Sequence, residues 1–341
     1  MNRREMLLAS SAALLAGTGA LAAPQPFRTK PMKHSQIKVG EIELHVVENG
    51  EGQPVLLVHG FPDLARGWRL QMEALAAAGY RAIAPDMRGY GRSSAPSALD
   101  VYTPLHTVGD LIGLLDALDL PTVTIVGHDF GATIAWNAAL LRPDRFTAVF
   151  GVSVPFIPAG GPSFLDQIAA SDATSFYMFD QMKPEADDLW ASTAATYPSV
   201  LYWLSGSPPT KELWDPMKGN AHMLRPAPVT VPSWADPEDV AFAVSEFQRT
   251  GFHAPLNYYR SIQPFFALTG AFKGLAIHQP SFFLVGGVDG LHGMLKTNEQ
   301  QLRAGLPGLR GFVELPGIGH WPNREATETF NAALLGFLGG L

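Results

Sequence analysis

The segment VGHDFGATIAW, residues 126–136, sets an acidic side chain between two glycines at the end of an apolar run. The spacing Gly127-x-Asp129-x-Gly131 suits a sharp strand-to-helix turn, in which small neighbours let the two elements approach and push the central side chain outward. A carboxylate displayed in this way is a candidate nucleophile, and the helix behind it favours negative charge at its N-terminus. The same aspartate also suits the plainer task of N-capping that helix. Residues elsewhere in the chain must decide between the two.

A nucleophile at such a turn needs a histidine, and commonly an acid, on loops that follow later strands. Asp289 comes after the run FFLVGG at 282–287, and His320 after FVELPG at 312–317. The chain order nucleophile, acid, histidine is the one expected of α/β-hydrolases. An oxyanion hole is also required. VHGFP at 58–62 is a strand end followed by a Gly-containing turn that can aim the Phe61 amide inward, and the Phe130 amide is the natural second donor.

Positioning these groups calls for a sheet with helices between its strands. Short β-rich runs fall at 54–58, 81–84, 123–126, 148–154, 281–285 and 312–315, and a hairpin at 37–39 and 42–47 turns at Gly40. Helices are expected at 68–78, closed by Gly79, at 130–141, stopped by Arg142-Pro143, and after Thr103 as N-cap with Pro104 at the first helical position. Alternation of this kind builds a mostly parallel twisted sheet with helices on both faces, an α/β class. Between 156 and 279 the alternation stops, and Pro-, Trp- and Tyr-bearing segments of helical character take over. The expected organisation is a first part of the α/β core at 33–155, a helical cap at 156–279 and the rest of the core at 280–341.

With 341 residues, 47% of them hydrophobic, the chain can bury a substantial core. Its net charge of −7 offers no basic footprint for nucleic acid. No cysteine is present, so disulfides, thiolate nucleophiles and thiolate-bound metals are excluded, and the ten histidines show no metal-ligand spacing. The expectation is therefore no cofactor and no metal. At the N-terminus, Arg3 and Arg4 precede an uncharged stretch ending in Ala20-Leu21-Ala22. Residues 1–23 accordingly read as an export signal resembling the twin-arginine type, which predicts a periplasmic or secreted protein with no membrane span after cleavage. An uncleaved anchor is the other reading of this segment.

The stretches HGFP, DMRGYGRSSAP, GHDFGA, VPFIPA, PSWADPEDVAFAVSEFQRTGFHAPLNYYR and GIGHW carry a similarity that runs over nearly all of the chain after the signal. On these motifs the sequence resembles the epoxide hydrolases of the α/β-hydrolase superfamily. The resemblance implies that Asp129 attacks an epoxide carbon while two cap tyrosines hydrogen-bond the epoxide oxygen. Tyr259 in GFHAPLNYYR matches one of them; Tyr177 in SFYMFDQ matches the other, with Phe176 and Phe179 as competing positions. Phe61, Phe130, Trp136 and Phe156 either wall a substrate pocket or belong to the ordinary core.

The implied chemistry explains the aspartate. A serine would form an ether with the opened ring, which water does not readily cleave, whereas a carboxylate forms an ester that a water activated by His320, oriented by Asp289, can hydrolyse. The expected partners are a small epoxide and water, on a monomer or homodimer. The nearest rival is a haloalkane or haloacid dehalogenase, which shares the Asp nucleophile; its usual Trp or Arg after the nucleophile is Phe130 here. A further alternative is a catalytically silent member of the fold that binds a small molecule or a partner protein.

Overall fold

The computed structural model describes residues 31–161, 163–171 and 175–341; the proposed export signal at 1–23 lies outside them. Eight strands form one sheet: β1 Lys33–Val39, β2 Ile42–Asn49, β3 Gln53–Val58, β4 Tyr80–Pro85, β5 Val123–His128, β6 Phe146–Val152, β7 Ser281–Gly286 and β8 Leu309–Leu315. Their spatial order is β1-β2-β4-β3-β5-β6-β7-β8. From β4 to β8 every pairing is parallel, while β2 is antiparallel to both β1 and β4. The expected hairpin turns at Gly40, whose φ of +56° is one that glycine adopts without strain.

Strand periodicity divides the core between the two faces. Val55 and Leu57 of β3 pack with Trp68, Met72, Phe150 and the C-terminal helix Thr327–Gly339; Leu56 and Val58 turn to the other face, with Ile125, Val149 and the helix Phe130–Leu141. Burial on both sides is why β3 and β5 read as near-continuous apolar runs rather than alternating ones.

Between β6 and β7 the chain leaves the sheet and forms a helical insert, including Tyr177–Met182, Thr193–Trp203, Pro237–Thr250 and His253–Arg260. Its apolar residues Tyr197, Phe247 and Tyr259 join the core cluster of the sheet face above which they lie. Among the described residues no helix is long and apolar enough to cross a membrane.

Most strands run one to four residues beyond their expected ends, and three local features depart from expectation in kind. The segment expected as a helix from residue 68 begins as a 3₁₀ turn, Ala65–Trp68, and becomes α-helical at Arg69. Strand β6 stops at Val152 because Ser153 takes a φ of +65°, which a strand cannot continue. Thr103 does occupy the N-cap position, but its hydroxyl pairs with the Nδ1 of His106 at 2.9 Å instead of capping the helix.

The topology also fixes where chemistry can occur. After β3 the chain adds β4 on one side and then β5 on the other, so the order of connection reverses between β3 and β5. Crevices beyond the carboxyl ends of strands at such a reversal are the usual ligand sites of open α/β sheets. The Phe61 turn and Asp129 stand at those two strand ends.

Candidate active site

Asp129 sits between β5 and the helix Phe130–Leu141 with φ 54° and ψ −122°, a strained conformation for a residue bearing a side chain. The turn closes only because its neighbours are small: a Cβ on Gly127 would run into the carbonyl oxygen of Gly131, and a Cβ on Gly131 into that of Val58. The side chain of Asp129 does not cap its helix. Its Oδ1 accepts a hydrogen bond from the Phe61 amide at 2.8 Å, and its Oδ2 lies 3.5 Å from Nε2 of His320. The capping alternative left open by the sequence is therefore removed.

The other two loops deliver their groups to the same place. His320 Nδ1 is 2.9 Å from Oδ2 of Asp289, whose Oδ1 accepts from the Leu291 amide at 2.9 Å. Two fixed partners leave that carboxylate a single orientation, and it in turn fixes the imidazole plane and aims Nε2 at Asp129. Ser153 donates its hydroxyl to the His320 carbonyl at 3.1 Å. The Phe130 amide heads the helix beside Asp129 but makes no hydrogen bond to the carboxylate.

Burial gives these charges their force. For Asp129 burial alone would raise the carboxyl pKa, yet His320 and the Phe61 amide hold it below the usual range. For His320 burial opposes the cation, but the carboxylates of Asp289 and Asp129 outweigh it and raise the imidazole to about 10. The resting pair is thus imidazolium and carboxylate. His128, next to Asp129, behaves in the opposite way: burial, then the nearby His320 charge, lower it to about 3, and its Nε2 donates to the His320 carbonyl at 2.7 Å.

Above Asp129 the insert supplies the two phenols. Tyr177 begins the helix Tyr177–Met182, Tyr259 lies in His253–Arg260, and their rings meet edge to face with centroids 6.1 Å apart. Their hydroxyls interact with each other, and both face the charge of Asp129. Burial, reinforced by that charge, pushes both phenols well above their ordinary pKa, so they remain proton donors at neutral pH. Phe176, the competing position, is instead packed against Phe164 and Phe179 within the insert.

A cavity of about 150 Å³ opens beside Asp129, with Phe130, Trp136 and Phe156 in its walls. Phe61 borders a smaller recess of about 10 Å³ on the His320 side. Trp136 also has a core function: it fills the space over Gly151 and donates its indole N–H to the Val154 carbonyl at 3.0 Å.

Two supporting contacts have no counterpart in the sequence reading. The Leu204 carbonyl, in the insert, accepts from the His320 amide at 2.8 Å. Glu325 accepts from the amides of Gly206 at 2.7 Å, Gly319 at 3.0 Å and Trp321 at 2.9 Å, tying the insert to both neighbours of His320. The GHW-x-x-x-E spacing was the only local signal available for this carboxylate.

A buried carboxylate at the strand-to-helix turn, paired with an Asp-oriented histidine beneath two phenols at the strand ends of this sheet, marks a hydrolase of the α/β class. Comparison with known proteins narrows the class. Residues 53–211 match the family described as the alpha/beta hydrolase fold. The chain is 53% identical over 311 residues to an epoxide hydrolase of Caballeronia sordidicola, covering 91% of this chain and 94% of that one. It is 37% identical over 309 residues to epoxide hydrolase A of Mycobacterium tuberculosis, covering 88% and 95% respectively. Among solved structures, an epoxide hydrolase from an endophytic Streptomyces superimposes with a TM-score of 0.85 at 36% identity, over 91% of this chain and 96% of that one. The chain belongs to the epoxide hydrolases of the α/β-hydrolase fold.

Proposed function

We propose that the protein converts an epoxide to a vicinal diol through an ester on Asp129. The observation that carries this reading is the division of labour at one carboxylate: Oδ1 is held by the Phe61 amide, while Oδ2 lies beside His320 in a site roofed by Tyr177 and Tyr259.

Oδ2 attacks one carbon of the epoxide ring, the carbon–oxygen bond breaks, and the opening oxygen takes a proton from a phenol. Forming the ester removes the negative charge of Asp129, one of the two that hold the imidazole near 10. The imidazolium therefore becomes a stronger acid, and its proton passes to the phenolate, leaving a neutral imidazole. That imidazole takes a proton from water as the water attacks the ester carbonyl, and the Phe61 and Phe130 amides receive the oxyanion. Collapse expels the diol oxygen, which regains a proton from His320, and the proton left on the Asp129 carboxyl restores the imidazolium. Epoxide plus water has become diol, with every group returned to its starting state.

His320→Gln tests the proposal by stopping it halfway. Mixed with styrene oxide, the variant should gain the mass of one substrate molecule, located on Asp129 by peptide mapping. An unmodified variant that still turns over epoxide contradicts the ester. The N-terminal Arg3-Arg4 and Ala20-Leu21-Ala22 pattern supports export, so we extend the proposal to a mature chain beginning near Ala23 in the periplasm. N-terminal sequencing of fractionated cells checks it, and a full-length cytoplasmic product would contradict it.

A further inference from the structure

We infer that the site takes neutral terminal epoxides carrying one apolar group of about phenyl size, and rejects epoxides with bulky groups on both ring carbons. The inference rests on the epoxide-hydrolase reading and specifies its substrate class.

Asp129 and Tyr177 border both spaces in the site, so the reacting ring must lie where the two meet. With the ring oxygen at the phenols and one carbon at Oδ2 of Asp129, groups on the two ring carbons diverge to opposite sides. On one side is the cavity of about 150 Å³, walled by Trp136, Phe156, Phe265 and Met294. An apolar cavity of this size is known to accept a benzene ring. On the other side is a recess of about 10 Å³, closed by Trp214, Met223, Val200 and Leu204. That volume admits roughly one water molecule, as the attack on the ester requires, and no ring.

The narrow side is held rigidly. Val200 and Met223 are buried in the main core, the Tyr177 ring meets Trp214 edge to face at 5.1 Å, and the Leu204 carbonyl is bound to the His320 amide. Widening it would pull the insert away from His320 itself. Charge sharpens the choice further. No Lys, Arg or His is among the described residues lining the large cavity, and Asn137, its one side-chain amide, already donates to the Thr133 carbonyl at 2.8 Å. A carboxylate on the substrate would meet no cation in that cavity, at a substantial desolvation cost.

The test compares kcat/KM for styrene oxide, trans-stilbene oxide and cis-9,10-epoxystearate on the purified protein, scored by diol formed. Styrene oxide should exceed each of the others by about a hundredfold or more, the scale of discrimination expected when a substituent has no pocket. Equal rates with stilbene oxide overturn the inference while leaving the epoxide reading intact; no diol from any of the three overturns both. A Val200→Ala/Met223→Ala variant should raise the stilbene-to-styrene ratio about tenfold or more. Because a ratio is read, partial unfolding cannot imitate that result. An unchanged ratio contradicts the assignment of the narrow side.

Discussion

Nε2 of His320 lies 3.5 Å from Oδ2 of Asp129, and both side chains are almost wholly buried. A cation and an anion so placed stabilise each other, and the proposed mechanism depends on that pairing being lost when Asp129 becomes an ester.

The first prediction concerns the proton on His320. Nitrogen NMR of the imidazole should find it charged at neutral pH and titrating near 10, and Asp129→Asn should lower that value. Because the folded value lies above the ordinary histidine value of about 6.5, the stabilisation is fully present below that pH and is lost as pH rises towards 10. A titration near 6.5 in the native enzyme would refute the ion pair.

Tyr177→Phe and Tyr259→Phe should each slow single-turnover ester formation by about 10- to 100-fold, and the double variant should nearly abolish it. Hydrolysis of an ester already formed should change less. If Tyr177→Phe is silent, the first donor has been misplaced.

Gly127→Ala should fail at the level of the fold. Its new methyl would meet the Gly131 carbonyl, which belongs to the turn and has no room to withdraw. Denaturant unfolding should show a loss of about 3 kcal/mol. A variant with native stability would mean that the elbow is looser than its geometry implies.

Glu325→Gln keeps the side-chain volume but replaces one acceptor oxygen with a donor facing backbone N–H groups. We expect a loss of about 1–3 kcal/mol in stability. We also expect slower release of the ester, with KM for styrene oxide little changed, because the His320 loop loses its tie to the insert. Full kcat in a destabilised protein would confine Glu325 to a structural role.

How much of this was legible depended on whether the signal was local. Asp129, Asp289 and His320 each follow an apolar strand run, and the glycines around Asp129 mark a turn that other residues cannot make, so periodicity and spacing were enough to find them. The helix Phe130–Leu141 was expected at its observed bounds for the same reason. Tyr177 was harder to place, because three aromatic residues fall within four positions, and only the tertiary arrangement buries Phe176 among its neighbours while turning Tyr177 towards Tyr259. The Leu204 carbonyl had no legible role, because it acts on a residue brought near by the insert's return to the sheet, and Glu325 had only the GHW-x-x-x-E spacing, which records its bonds to Gly319 and Trp321 but not the one to Gly206.

The central claim, that water attacks an Asp129 ester and not the epoxide, is tested most directly by one turnover in water enriched in heavy oxygen, with enzyme in excess over styrene oxide. The account predicts that the heavy oxygen appears in the Asp129 carboxylate, because the attacking water stays on the carbonyl carbon when the ester collapses, and that the first diol carries none. Label in that first diol, with Asp129 unlabelled, would mean direct attack of water on the ring and would contradict the ester mechanism.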